Sequence, residues 1–424
     1  MFFMELNKYL KNLGFLCFGA AVLFFNYFLA NDYVALLCTI ALSIYILVAP
    51  EIEIAPTMCF FSSFAYLFRY ETLSLYVVVC VFTMARVFLL AGKENLAFVV
   101  LICVYLLSHL LCSNLLGVSG GDLFPFFSNL VLFSLCIIPQ YIHVKKCNYY
   151  FLTGFLLSSF MGMLKSYTRL PDVLKDSLVY YTKFDPLDRF SGITFDSNFY
   201  TLLAILSLFI LLKIKGTLAI RIPVFILILI LGMRTYSKSF YLSLFFCMLF
   251  VLFTEWYKSI RVSSVLKYGM IIALVVILGY SLFASYIDVF VYRIQGYNTL
   301  DELTTGRGSL WQMYSDEIFS DPFAFLFGHG IERTIVAAAH NSYLEMLYKF
   351  GLFGVLIDVL YLTYCAKKLK VRLKFADIIF YTSIGMLLFN LSAFTFLSMW
   401  TCLFLLFINT STLQDENNLC LKSV

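Results

Sequence analysis

Charge is scarce in this sequence. Asp, Glu, Lys and Arg make up 13% of 424 residues, against about 25% in soluble domains, which is too little to cover an ordinary water-facing surface. The apolar runs lack the alternation of a lipid-facing β-barrel, which excludes that class. No small-residue processing site follows the first run, so it reads as a first anchor and not a cleavable signal. The 12 cysteines sit in or beside apolar runs, and the two long polar segments hold none, so disulfides and CxxC metal sites give way to apolar filling. Basic residues never gather into a stripe, which excludes a nucleic-acid surface.

What remains is 62% hydrophobic with a mean hydropathy of +0.90, and that composition implies a bilayer. Runs of about 17 to 25 apolar residues, each able to cross roughly 30 Å of hydrocarbon as a helix, recur along the chain. They predict an all-α, polytopic integral membrane protein of about fourteen spans. The runs cover 13–30, 33–49, 54–68, 72–91, 96–116, 124–140, 149–164, 199–212, 218–233, 240–254, 266–287, 341–366, 375–391 and 394–408. Short loops rich in Lys and Arg stay in the cytoplasm. Lys8 and Lys11 put the N-terminus inside, with Lys93, Lys145, Lys146, the Lys213/Lys215/Arg221 group, the Lys258/Arg261/Lys267 group and the "KKLKVRLK" run. The chain reads as one membrane domain, 1–424, with a cytoplasmic tail at 409–424.

Two long segments, 165–198 and 288–340, then face outward. Both are rich in aromatics, which argues for order. They keep Lys165, Arg169, Lys175, Lys183, Arg189, Arg293, Arg307 and Arg333 on the side where basic residues are disfavoured, and Arg234 and Lys238 join them from the short turn "MRTYSKSFYL". An anionic ligand explains that placement, although long loops translocate whatever their charge. Within the second loop, Thr304 or Thr305 is positioned to cap a short helix over 309–319. It places Leu310, Trp311, Tyr314 and Ile318 on one face, at the outer interface, with Trp311 at the headgroup level. Gly328 and Gly330 permit a close backbone approach.

The order "DRFSGITFDSN", "TYSKS", "TGRGSLW", "GHG" and "HNSYLEMLYKFGLFG" resembles the O-antigen polymerase and O-antigen ligase superfamily. Its members carry R-x-x-G-x-x-x-D-x-N, G-R-x-x-x-W, G-x-G, and HN-x-x-L entering a helix with G-x-x-G. The likeness spans about 188–354 and departs at Lys238, where many relatives have Arg. The resemblance implies the C-type membrane glycosyltransferase architecture and an active site on the outer face of a bacterial cytoplasmic membrane. It implies transfer of a glycan from an undecaprenyl diphosphate to a sugar hydroxyl. The donor and acceptor are then lipid-linked oligosaccharides, with a chain-length regulator and a flippase as partners.

Such chemistry needs neither a nucleotide nor a metal, so no cofactor is expected. The diphosphate is already a good leaving group, and the protein must bind growing negative charge and position an acceptor hydroxyl. Arg189 and Arg307 suit the first task, because a guanidinium pairs with phosphate oxygens bidentately; Arg234 and Lys238 stand behind them. His340 suits the second, having an unperturbed pKa near neutrality. Asn341 is placed to hold an acceptor sugar or the ring, Glu345 to orient the imidazole, and the resemblance adds Asp196 and Asn198 as substrate-binding positions. By itself, a histidine at a helix entrance reads as a cap or interface residue, and each arginine serves equally well as a headgroup anchor; the surrounding motifs shift His340 toward a site. His329 reads as a turn residue, and Asp358 as an intramembrane carboxylate too far inward for this chemistry. Polymerase and ligase share the donor and stay undivided by these loops. A flippase or transporter, the rival from another class, would carry its charges near midplane on broken helices.

Overall fold

A computed structural model of the protein describes residues 2–29, 31–70, 73–91, 134–167, 190–194, 196–214, 218–246, 307–330, 339–388 and 396–412, with single positions at 100, 103, 104, 270, 284 and 335. The fold is all-α. Its first helices are α1 (Phe2–Leu29), α2 (Asp32–Val48), α3 (Glu51–Phe61) and α4 (Tyr76–Leu90). The middle of the chain supplies α5 (Val144–Tyr167), α6 (Ser197–Lys213) and α7 (Leu218–Met233). After these come α8 (Arg307–Ser320), α9 (Pro322–Phe327), α10 (Ser342–Lys368), α11 (Phe375–Leu388) and α12 (Phe396–Thr410). Most boundaries fall close to the apolar runs. The expected segments 96–116 and 266–287, apart from those single positions, and most of 124–140 and 240–254, lie outside the described residues.

One expected helix is cut short. The run 54–68 continues as α3 only to Phe61, then tightens into a 3₁₀ segment over Ser62–Leu67 and a two-residue hairpin pairing Arg69–Tyr70 with Leu73–Ser74. The Ser62 hydroxyl donates to the Cys59 carbonyl at 2.7 Å, a local bond that competes with α-helical continuation.

The bundle is organised around α6. From Phe199 to Leu211 every side chain of this helix is buried, as an all-round apolar sequence requires. Its neighbours are α5, α7, α11 and α12. The charged groups gather at two opposite ends of these helices. At one end, Lys213 Nζ meets Asp377 at 2.8 Å, Arg86 meets Glu51 at 3.5 Å, and Asn148 and Asn409 exchange paired amide bonds at 2.7 and 2.8 Å. His143 caps α5 there, its Nδ1 accepting from the Lys146 N–H at 3.2 Å. Burial and the adjacent Lys146 and Lys145 charges hold its pKa below the usual value, outweighing a nearby Glu53.

Glu53 is the keystone of that end. It is buried, and its carboxylate accepts from Asn12 at 2.9 Å, from Tyr150 at 3.3 Å and from the Lys146 ammonium, tying α1, α3 and α5 together. Removing one member of a buried pair strands the other charge, at a cost of about 3–5 kcal/mol. Glu53→Ala is therefore expected to lower stability by that order in detergent, read as the unfolding midpoint. Glu51→Ala, which loses only a half-exposed pair, is expected to change little.

Candidate active site

At the opposite end, two sequence-distant motifs form one unit. Asp196 caps α6, its Oδ1 accepting from the Asn198 N–H at 2.8 Å. Before it, Gly192 takes a left-handed φ of 61° and lies against Gly162 of α5, where an added Cβ would meet the Gly192 Cα at 2.4 Å. Beyond α7, the chain turns through Tyr236 at φ 47°. The Phe190 N–H donates to the Arg234 carbonyl at 2.9 Å, and the Arg234 guanidinium lies 5.8 Å from the Phe190 ring centre. The Ser237 hydroxyl donates to Asn198 Oδ1 at 2.9 Å, and Thr201 donates to Thr235 at 3.3 Å. "DRFSGITFDSN" and "TYSKS" are thus bonded together. Lys238 is half-buried at the start of the next helical stretch. Arg189, next to the fixed Phe190, lies outside the described residues, as do Thr304 and Thr305.

The second long segment builds a shelf over α10. The face expected on α8 is the buried one: Tyr314 and Ile318 are enclosed, and Leu310 and Trp311 pack beside them with Ala339 and Tyr348. Tyr314 and Tyr348 meet edge to face at 4.8 Å. Trp311 is half-buried, and its Nε1–H donates to the Ala339 carbonyl at 2.8 Å, so the indole ties α8 to the segment entering α10.

A correction to the sequence reading concerns α10, which is two half-helices. Gly351 takes φ 65°, ψ −176°, breaking the ladder. The carbonyls facing the break are met by the "GHG" turn: the His329 N–H donates to Tyr348 O at 2.8 Å and the Gly330 N–H to Lys349 O at 3.0 Å. The His329 ring stacks on Tyr348 at 4.3 Å. Gly328 and Gly351 allow this approach, since a Cβ on Gly328 would lie 2.2 Å from the Lys349 oxygen and one on Gly351 would lie 2.5 Å from the Gly328 nitrogen. Glu345 and Lys349 are buried on the first half-helix and Asp358 on the second. Periodicity passed over the break and the burial of Lys349; the paired glycines of "GLFG" were the available signal.

His340 sits where these parts meet. Its φ of 50° is left-handed, a conformation that His and Asn tolerate better than most residues. The backbone is held by Glu345, whose fully buried carboxylate accepts from the His340 N–H at 3.1 Å. Glu345 thus orients the main chain of His340. Asn341 caps α10, its Oδ1 accepting from the Tyr343 and Leu344 N–H groups at 3.1 and 3.2 Å. Burial pushes the imidazole pKa below its ordinary value, the Arg307 charge pushes the same way, and Asp196 opposes them. The motifs of Asp196, Arg307 and His340, spread over 144 residues of sequence, therefore act on one imidazole.

Such a ring is neutral at neutral pH, and a neutral imidazole beside a guanidinium can accept a proton while an anion binds. Because the pKa is depressed, the acid limb of any reaction needing neutral His340 lies below about 6.5. Asp196→Asn keeps an oxygen for the α6 cap but removes the charge that favours imidazolium. It is expected to move that limb to still lower pH in a rate profile; an unmoved limb would disconnect Asp196 from the ring.

Among the described residues, no three His, Cys, Asp or Glu side chains gather into a metal-ligating group. No family model matches the chain, and no curated protein or solved structure matches it either.

Proposed function

We propose that the protein is a polytopic membrane glycosyltransferase that joins undecaprenyl-diphosphate-linked oligosaccharide repeats into a surface polysaccharide, acting on the outer face of the cytoplasmic membrane. The observation that carries this reading is the convergence of Arg307, Asp196 and His340 at one end of the bundle, opposite the end holding Lys146, Lys213 and Lys367. The membrane setting draws support from α10, which is long and apolar enough to cross a bilayer, and from shorter apolar helices including α2, α4 and α6. It draws further support from exposed Phe18, Phe25, Leu37, Val48 and Leu89 along the helix flanks, a surface that water disfavours.

In the proposed step, the acceptor hydroxyl oxygen attacks the anomeric carbon of the donor. The carbon–oxygen bond to the diphosphate breaks, and both its electrons leave with the lipid diphosphate. Arg307, with Arg189 and Arg234, supplies positive charge to that leaving group. The hydroxyl proton passes to the neutral His340 imidazole. The Asn341 side chain, whose oxygen is held by the helix cap, has its Nδ2 hydrogens to offer an acceptor sugar.

The broken α10, with Glu345, Lys349 and Asp358 buried along it, favours a second reading as a lipid-glycan transporter, where interrupted helices carry the ligand site. Against it, the carbonyls at the break are bonded to the "GHG" backbone and not turned toward a cavity. Deletion in cells whose surface glycan depends on this gene separates the readings. A polymerase leaves surface glycan of a single repeat. A ligase leaves long chains on the carrier lipid, and a flippase leaves unpolymerised repeats on the cytoplasmic face.

A further inference from the structure

Beside the site, α9 turns a strip of aromatic and aliphatic side chains outward. Phe323, Leu326 and Phe327 are all exposed, Phe323 by 67%, and Phe319 at the end of α8 is exposed as well. The rings meet in two sets: Phe319 lies 5.5 Å from Phe325, while Phe323 lies 4.9 Å from Phe327 and Phe327 lies 6.1 Å from Phe353 on α10. Phe353 opens the exposed face of the second half of α10, continued by Leu356, Val359 and Leu360. The strip on α9 is therefore one surface with the flank of the helix best suited to span a membrane.

Its depth is set by backbone bonds. The "GHG" turn that ends α9 is bonded to the Tyr348 and Lys349 carbonyls, six and seven residues into α10, which is about 9 to 10 Å along a helix rising 1.5 Å per residue. Hydrocarbon of about 30 Å thickness, centred on a span of this length, begins above that level. The cap of α9 is polar, with Asp321 exposed and accepting from the Phe323 N–H at 2.9 Å.

We propose that α9 is a wedge inserted among the acyl chains of the outer leaflet, and that it pins the Arg307–His340 shelf at a fixed height above them. The inference rests on the reading that α10 spans a bilayer. The occupant of the strip is the bulk lipid, because the surface is continuous with the α10 flank, and the exposed Asp321 at the start of α9 marks the headgroup border. The wedge is coupled to the site through α8, which Trp311 ties to the residue preceding His340.

Phe323→Trp tests this in vesicles of phosphatidylcholine with or without bromine on the acyl chains, the added fluorescence being read against the parent protein. Phe353→Trp on α10 and Gln312→Trp on the exposed side of α8 are the references. The expected result is quenching of the added emission at 323 and 353, strongest at 323 when the bromines are shallow, and little quenching at 312. Quenching at 353 without quenching at 323 would overturn the wedge and leave the spanning helix standing. Absence at both positions would overturn both. Blue-shifted, unquenched emission at 323 with crosslinking between copies would assign the strip to a second copy and likewise overturn the proposal. Each variant sits at an exposed position, and glycan length in cells checks that it has folded.

Discussion

His340→Asn is expected to lower the rate of chain growth by about 10²- to 10⁴-fold, the usual contribution of a general base, without reducing the amount of protein in the membrane. Asn is the informative substitution. It tolerates the left-handed φ of 50° and keeps the N–H that Glu345 holds, so it removes the imidazole alone. His340→Ala would add backbone strain to the loss and blur the two. Glycan length on gels, normalised to membrane content, is the measurement, and unchanged length would end the assignment of His340. Glu345 supplies the internal control. Glu345→Gln retains an acceptor for the His340 N–H and is expected to keep much of the activity. Glu345→Ala leaves a half-buried donor unmet, a cost of about 1–3 kcal/mol, and is expected to resemble the His340 variant in length while also losing thermal stability.

Gly351→Ala is expected to be the most damaging change to the fold near the site. At φ 65°, ψ −176° the position belongs to a region that essentially only glycine occupies. The new Cβ would meet the Gly328 nitrogen and the Leu326 carbonyl, all at 2.5 Å, and backbone atoms cannot swing aside as a side chain can. Strain and overpacking together amount to about 2–6 kcal/mol, comparable with the whole stability of many domains. The "GHG" turn would be pushed off the Tyr348 and Lys349 carbonyls, and the site would go with it. Membrane content and the detergent unfolding midpoint report the effect. Gly14→Ala in α1, where an added Cβ meets nothing within 4 Å, is expected to be neutral or stabilising by up to ~1 kcal/mol.

The contrast between these glycines shows what the sequence could convey. Run length and hydropathy located α6 and α7 because an apolar run has one economical structure when its backbone must bond to itself, whereas the role of Asp196 as the α6 cap emerged only from the structure. The side-chain face of α8 was equally legible from spacing. The break in α10 was not, since glycines inside an apolar helix are tolerated, and it is the docked "GHG" turn that makes Gly351 of "GLFG" a break. Trp311 illustrates the same limit. An indole N–H suits many acceptors, and its partner here, the Ala339 carbonyl 28 residues on, is chosen by the fold. The charges told more together than singly: the Asp196, Arg307 and His340 motifs had only their order in the chain until folding set them on one imidazole.

The most direct test is turnover by the purified protein in vesicles supplied with undecaprenyl-diphosphate-linked repeats. The expected result is growth of lipid-linked glycan with one undecaprenyl diphosphate released per new bond, lost on His340→Asn and retaining an acid limb below about pH 6.5. Repeats that cross the bilayer without lengthening, or lengthening that is indifferent to His340, would contradict the account.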